Sequence, residues 1–124
     1  MDKKTEYTMH MDEKFGFHEL IDIQPLIDDC QDQWYNQTLC RVNDCVVRIG
    51  IARGEFPWHK HDDEDEFFYV VSGTLYLDFE DETFELKPRQ GCTVPKGVMH
   101  RTRAPDEQAV YLMVEGAGVV PLGD

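Results

Sequence analysis

The sequence predicts an all-β domain, an antiparallel sandwich or small barrel, led by an acidic arm. Three observations carry this. From Trp34 onward, short apolar or alternating runs are separated by turn-forming residues at close intervals. A helical pattern is confined to one short stretch, Pro25–Asp32. And 124 residues suffice for one core without disulfide or metal staples.

Residues 1–33 read as an acidic tail and arm, and residues 34–124 as the barrel. The stretch 1–32 holds nine acids against three lysines. Its first dozen residues are expected to form a loose tail. Phe15, Phe17, Leu20, Ile21, Ile23, Leu26 and Ile27 supply an arm that can pack on the body. Thr38–Val42 and Cys45–Ala52 flank Asn43-Asp44, a tight hairpin turn. Phe67–Val71 is aromatic and β-branched and ends at Ser72-Gly73. Thr74–Phe79 alternates, Glu80-Asp81-Glu82 turns, and Thr83–Lys87 returns. Gly91–Val94 is broken by Pro95-Lys96-Gly97, and Val110–Val114 is a last apolar strand.

Composition excludes several partners. Twelve basic residues against 25 acidic ones leave a net charge of −13. That opposes both a nucleic-acid backbone and an anionic membrane surface. No apolar run approaches the roughly 20 residues that span a bilayer, and Met1–Glu6 lacks the apolar core of a signal peptide. Cys30, Cys40, Cys45 and Cys92 form no Cys-x-x-Cys pair. They are expected to be free thiols in a cytoplasmic protein.

The chemistry-bearing residues are the histidines. His59-Lys60-His61 places two imidazoles at i and i+2, on one face of a strand and within reach of one ion. Glu66 follows His61 by five positions, the wrong parity for one continuous strand, so Asp62–Asp65 must turn between them. Phe68 and Val70 share the face of Glu66, while Phe67, Tyr69 and Val71 take the other, so Glu66 is expected to be buried. A buried carboxylate needs a pair or a cation. His100 arrives behind Pro95 and Gly97. Three imidazoles and one carboxylate suit one divalent transition metal, Zn, Fe, Mn, Ni or Cu, with positions open for water or substrate.

The stretch Gly54-x4-His59-x-His61-x4-Glu66-x6-Gly73 resembles the first motif of the cupin superfamily, and Gly91-x3-Pro95-x-Gly97-x2-His100 resembles the second. The two stand in the right order, about 18 residues apart. Phe56-Pro57-Trp58-His59-Lys60-His61, Val94–Arg101 and the Gly123-Asp124 tail look like small single-domain bacterial cupins of the mannose-6-phosphate isomerase-like group. Three departures stand out. Four residues, not five, separate Gly54 from His59. Arg89-Gln90 replaces the usual Gly-Asp or Gly-Glu, and Ala104 stands where many members have asparagine. The resemblance implies a double-stranded β-helix, a jelly-roll-like small barrel, with His59, His61, Glu66 and His100 holding one metal on its inner surface. It also implies a homodimer, and Phe67, Tyr69 and Val71 make an apolar row that a second copy or the arm must cover.

Other residues rank lower. Arg48 could meet an anionic substrate or be salt-bridged. Cys92 reads as a small core residue. Met99 and Tyr111 read as core residues that could also wall a pocket. Met9-His10-Met11 could scavenge a soft metal, and His18 reads as structural. The acids at 62–65 would keep the site's mouth negative and disfavour sugar phosphates. Alternation puts Arg101 and Arg103 on the side of the chain away from His100. Two functions follow: a metal-dependent enzyme acting on a small molecule, with isomerase- or dioxygenase-like chemistry, or a non-catalytic metal- or metabolite-binding module. A second polar set beside the open metal position would favour the enzyme, and an entirely apolar wall the binder.

Overall fold

A computed structural model describes residues 7–124. Its elements are β1 (Tyr7–His10), α1 (Gln24–Asp29), β2 (Trp34–Val42), β3 (Cys45–Glu55), β4 (Glu66–Ser72), β5 (Leu75–Phe79), β6 (Thr83–Leu86), β7 (Gly91–Val94) and β8 (His100–Gly116). The strands run in the order β1-β2-β3-β8-β4-β7, and β5 pairs with both β6 and β8. The long strand β8 therefore joins the two sides of the barrel. Its first residues, His100–Arg103, pair with β5, and its last, Val110–Glu115, pair with β4. Along its other edge it pairs with β3.

The hairpin at Asn43-Asp44 and the strand over 91–94 are present as expected, and the strands expected over 67–71, 74–79 and 83–87 are present with shifted ends. The largest difference lies in β8, where only Val110–Val114 was legible. Its leading half alternates buried Thr102 and Ala104 with half-exposed Arg101 and Arg103, and Pro105–Gln108 bulges out where the β3–β8 register slips. Arg101 and Arg103 face outward, as alternation predicts. Both grip the Asp78 carboxylate, and their guanidinium groups lie over Trp58 and Tyr76.

Period-two alternation sets the barrel's two faces. Arg48, Gly50 and Ala52 of β3 share the interior with Glu66, Phe68 and Val70 of β4 and with Tyr111, Met113 and Glu115 of β8. Gly50 lies opposite Tyr111, whose ring occupies the space a Cβ would need. The other face of β3 carries Ile49 and Ile51, both fully buried beneath the arm. Phe15, Ile23, Leu26, Ile27 and Cys30 cover them together with Leu39, Val110, Leu112 and Val71. Lys14 and Phe15 donate backbone hydrogen bonds to Thr38 and Leu39 of β2 (3.0 and 2.9 Å), which anchors the arm. Helix α1 has Pro25 in its first turn, as its fixed φ favours.

Of the first dozen residues, expected to be loose, residues 1–6 lie outside the described residues. Tyr7–His10 instead form β1, which runs parallel to β2 with Tyr7 beside Trp34. The Tyr7 and Phe56 rings meet edge-on at 5.2 Å, and Phe56 packs on Trp34 at 5.1 Å. Aromatic contacts thus outweigh the polar character of the segment.

Candidate metal centre

The four residues singled out in the sequence converge. His59 follows β3 and forms an isolated bridge with His100, each backbone N–H donating to the other's carbonyl at 2.9 Å. Asp62–Asp65 makes the expected turn, and Asp65 accepts a hydrogen bond from the Lys96 N–H at 2.9 Å. Glu66 opens β4, and His100 opens β8. Gly97, at φ 77°, takes a left-handed conformation that a side chain would oppose, and its N–H reaches the His61 carbonyl at 2.7 Å. That contact brings the Pro95–Gly97 turn against the His59–His61 segment.

One donor atom from each of His59, His61, Glu66 and His100 lies within 4.8 Å of the others, and all four residues are buried. Each imidazole is tied off at Nδ1. His59 donates to the Pro57 carbonyl at 2.8 Å, His100 to the Val98 carbonyl at 2.9 Å, and His61 to the Asp124 carboxylate at 2.7 Å. These partners assign the tautomer and leave the Nε2 lone pairs available toward Glu66. His100 Nε2 lies 3.3 Å and His61 Nε2 3.6 Å from Glu66 Oε1. His61 Nε2 is buried with no hydrogen-bond partner among the described residues. The result is a set of acceptors facing one another with no donor between them. Ligands about 2.1 Å from a shared ion lie about 3 to 4 Å apart, close to the spacing seen, so the donor set fits a transition metal.

The charges agree with that fit. Burial holds His59 neutral, with its pKa lowered to about 4. His61 is raised, because Glu66 and Asp124 outweigh its desolvation. Behind Glu66 lies Glu115, its register partner across β4 and β8. Burial and the neighbouring Glu66 push Glu115 up to about 10. Glu66, despite the opposing effect of burial, is held well below the carboxylate range by the Glu115 carboxyl and by the His100 and His61 imidazoles around it. Glu115 is thus the neutral acid of the pair and Glu66 the carboxylate.

A cavity of about 30 Å³ adjoins His59 and Glu66. This is room for about one water molecule. Trp34, Phe56, Phe68 and Met113 form its apolar wall, and Thr8, Met9 and Pro121 also line it. Asn36, Thr102 and Tyr111 add polar groups, so the wall is not entirely apolar. Trp34 Nε1 and Asn36 Oδ1 are buried without a partner among the described residues.

The lower-ranked residues fall elsewhere. Arg48 is committed internally: it donates to Glu115 at 2.7 Å, Thr38 at 3.0 Å and the Val119 and Ala117 carbonyls at 2.8 and 3.3 Å, and it does not line the cavity. Cys92 and Met99 border an outer groove, not the cavity. His10 and His18 are exposed, and Met9 lines the cavity from β1. Sequence reasoning gave no role at the site to Asp124, Glu115, Trp34 or Asn36. Glu115 alone had a visible signal, an acid inside the apolar run 109–120.

The Cupin domain family matches residues 46–115, more than half of the chain. The chain belongs to the cupin family. Over 80 residues this cupin is 40% identical to the uncharacterized protein YdbB of Bacillus subtilis (strain 168), covering 64% of this chain and 71% of that one. Over 52 residues it is 44% identical to the polyketide synthase CurC of Streptomyces cyaneus, a match covering 41% of this chain and only 34% of that protein. A cupin-2 domain containing protein from Shewanella frigidimarina has a crystal structure that superposes with a TM-score of 0.73 at 30% identity, covering 78% of this chain and 94% of that one. The all-β double-stranded β-helix that the two motifs imply is the fold observed.

Proposed function

We propose that this cupin holds one divalent transition metal through His59, His61, Glu66 and His100 and uses it on a small-molecule ligand. The observation that carries the reading is the convergence of three imidazole lone pairs and a buried carboxylate with no donor among them. When bound, such an ion supplies a Lewis acid or a water of lowered pKa. The chain's own groups do the rest. Pro57, Val98 and Asp124 fix the ring orientations, Glu115 stores a proton behind Glu66, and the aromatic wall excludes bulk water. Asn36, Thr102 and Tyr111 beside the site support isomerase- or dioxygenase-like chemistry over passive binding. The test is elemental analysis of the purified chain. About one metal per chain is expected, and His59→Ala/His61→Ala should lose it. Full occupancy in the double variant would overturn the assignment.

The small cavity favours a second reading, a metal- or metabolite-binding module without turnover. Absence of turnover in metal-loaded protein across small carbonyl and phenolic compounds, with binding retained, would select it.

A homodimer and a cytoplasmic setting complete the proposal. Phe67 and Tyr69 stack, half-buried, beside Val114 on the outer face, and Phe17 and Leu20 of the arm are 85% and 89% exposed. These apolar groups suit a second copy. The four free cysteines suit a reducing compartment. The domain division, arm over 1–33 and barrel over 34–124, is likewise part of this reading. Among the described residues, no helix is long and apolar enough to cross a membrane.

A further inference from the structure

The three imidazoles reach the site by different means. His59 and His100 donate Nδ1–H to the carbonyl two residues upstream, a partner supplied by the local turn. The equivalent carbonyl for His61 is that of His59, which already accepts the His100 N–H in the bridge at 2.9 Å. His61 instead uses a carboxylate 63 residues away, Asp124 Oδ1 at 2.7 Å. It is also the imidazole whose Nε2 is left without a partner.

The segment carrying Asp124 is strapped to the barrel at several points. Ala117 donates to the Asp44 carbonyl at 3.1 Å, and Asp124 donates its backbone N–H to the Lys60 carbonyl at 3.1 Å. From inside the barrel, Arg48 holds the Val119 carbonyl at 2.8 Å and the Ala117 carbonyl at 3.3 Å. Val119 is fully buried. Gly123, at φ 114°, passes so close to His59 that an added Cβ would lie 3.1 Å from the His59 Cβ. These contacts fix the path of residues 117–124, and the path ends on His61.

We propose that Asp124 is a positioning residue of the metal centre, orienting His61 and strengthening it as a donor, with Arg48 as the internal anchor of the segment that presents it. This rests on the reading that His61 binds the metal. A carboxylate that accepts the far N–H of a metal-bound imidazole fixes its tautomer and raises its basicity, and losing such a partner typically costs roughly 10- to 100-fold in metal affinity. A backbone carbonyl can orient a ring but adds no full negative charge. Asp124 is therefore worth more to His61 than the Pro57 or Val98 carbonyl is to its own ring.

The test uses the full chain and Zn²⁺, with affinity measured by competition against a chelator at fixed pH, and Co²⁺ as a visible-absorbance probe of the ligand field. Asp124→Ala should weaken Zn²⁺ about 10- to 100-fold. Asp124→Asn keeps an acceptor but not the charge and should fall between it and wild type. Asp124→Glu should recover most of the affinity. The Co²⁺ spectrum should shift in Asp124→Ala and return in Asp124→Glu. Asp62→Asn removes a nearby exposed acid and should change affinity less than about threefold, as expected for a screened surface charge. Wild-type affinity and spectrum in both Asp124→Ala and Asp124→Asn would overturn the proposal while leaving the metal site standing. Equal losses in Asp124→Ala, Asp124→Asn and Asp62→Asn would also overturn it, assigning the effect to net charge. Failure of the wild type to bind either ion would overturn the metal reading itself, and this proposal with it.

Discussion

Asp78 and Glu66 are equally buried, each 4% exposed, yet they are satisfied in opposite ways. Asp78 lies on the outward side of β5 and meets two fixed cations, Arg101 at 2.8 Å and Arg103, together with the neutral Thr83 hydroxyl at 2.7 Å. Glu66 lies inside the barrel and meets imidazoles and a second carboxyl group. The nearest permanent cation in its network is Arg48, and that reaches Glu66 only through Glu115. One site closes its charge within the chain. The other gathers lone pairs around a point where only a cation, or a proton on His61, removes the repulsion. Burial of a carboxylate therefore says little by itself; the charge state of its neighbours separates a structural clasp from a ligand-binding centre.

Removing Arg48 should have the largest effect. Arg48→Met strips Thr38, Glu115 and the Val119 carbonyl of their donor in the barrel interior. A loss of about 3 to 5 kcal/mol is expected from urea unfolding of the metal-free protein, because several buried acceptors lose their donor together. A loss below about 1 kcal/mol would mean that the interior network is not what holds this end of the barrel.

Next comes a crossed pair. Asp78→Asn should cost about 2 to 3 kcal/mol, because two arginines lose their shared carboxylate, and should leave metal content unchanged. Glu66→Gln should do the reverse, sharply lowering metal content while changing metal-free stability by less than about 1 kcal/mol. The two sites would cease to be different in kind if both variants lost stability and neither lost metal. The clasp also has a pH signature. Arg103, Thr83 and Arg101 hold the Asp78 pKa well below its ordinary 3.8 against the effect of burial. The folded state thus resists protonation more than the unfolded chain does. Its stabilisation is complete above the ordinary value and fades as pH falls below it. The stability gap between wild type and Asp78→Asn should narrow accordingly in acid.

The smallest effect is a gain. Arg89 holds φ 71°, a left-handed conformation costly for a side chain with a Cβ. Arg89→Gly should stabilise the chain by about 1 kcal/mol in thermal or urea unfolding, without altering metal content.

Sequence carried the barrel class and the convergence of His59, His61, Glu66 and His100 because strand parity and motif spacing are local properties. Even the turn forced by the mismatch between His61 and Glu66 is present at Asp62–Asp65. Arg89 could be marked as a departure at a turn, but its backbone angle could not be read. The leading half of β8 was illegible because its outward arginines and the Pro105–Gln108 bulge interrupt the apolar alternation. Asp124 was out of reach for a different reason. The Gly123-Asp124 tail could be matched to the family, but nothing local gave Asp124 a role, and only the folded path of residues 117–124 brings it to His61.

The shared strand β8 carries a kinetic consequence. His100 opens it, and Tyr111, Met113 and Glu115 fill the interior near its end, so a one-residue slip would turn all four outward together. Its β3 partners lie some 50 to 70 positions earlier in the chain, and pairing across such spans is slow because loop closure precedes the reward. The four donors cannot assemble before that strand is in register. A bound ion then acts on a structure already formed, and its influence falls on the rate of unfolding, with little on the rate of folding.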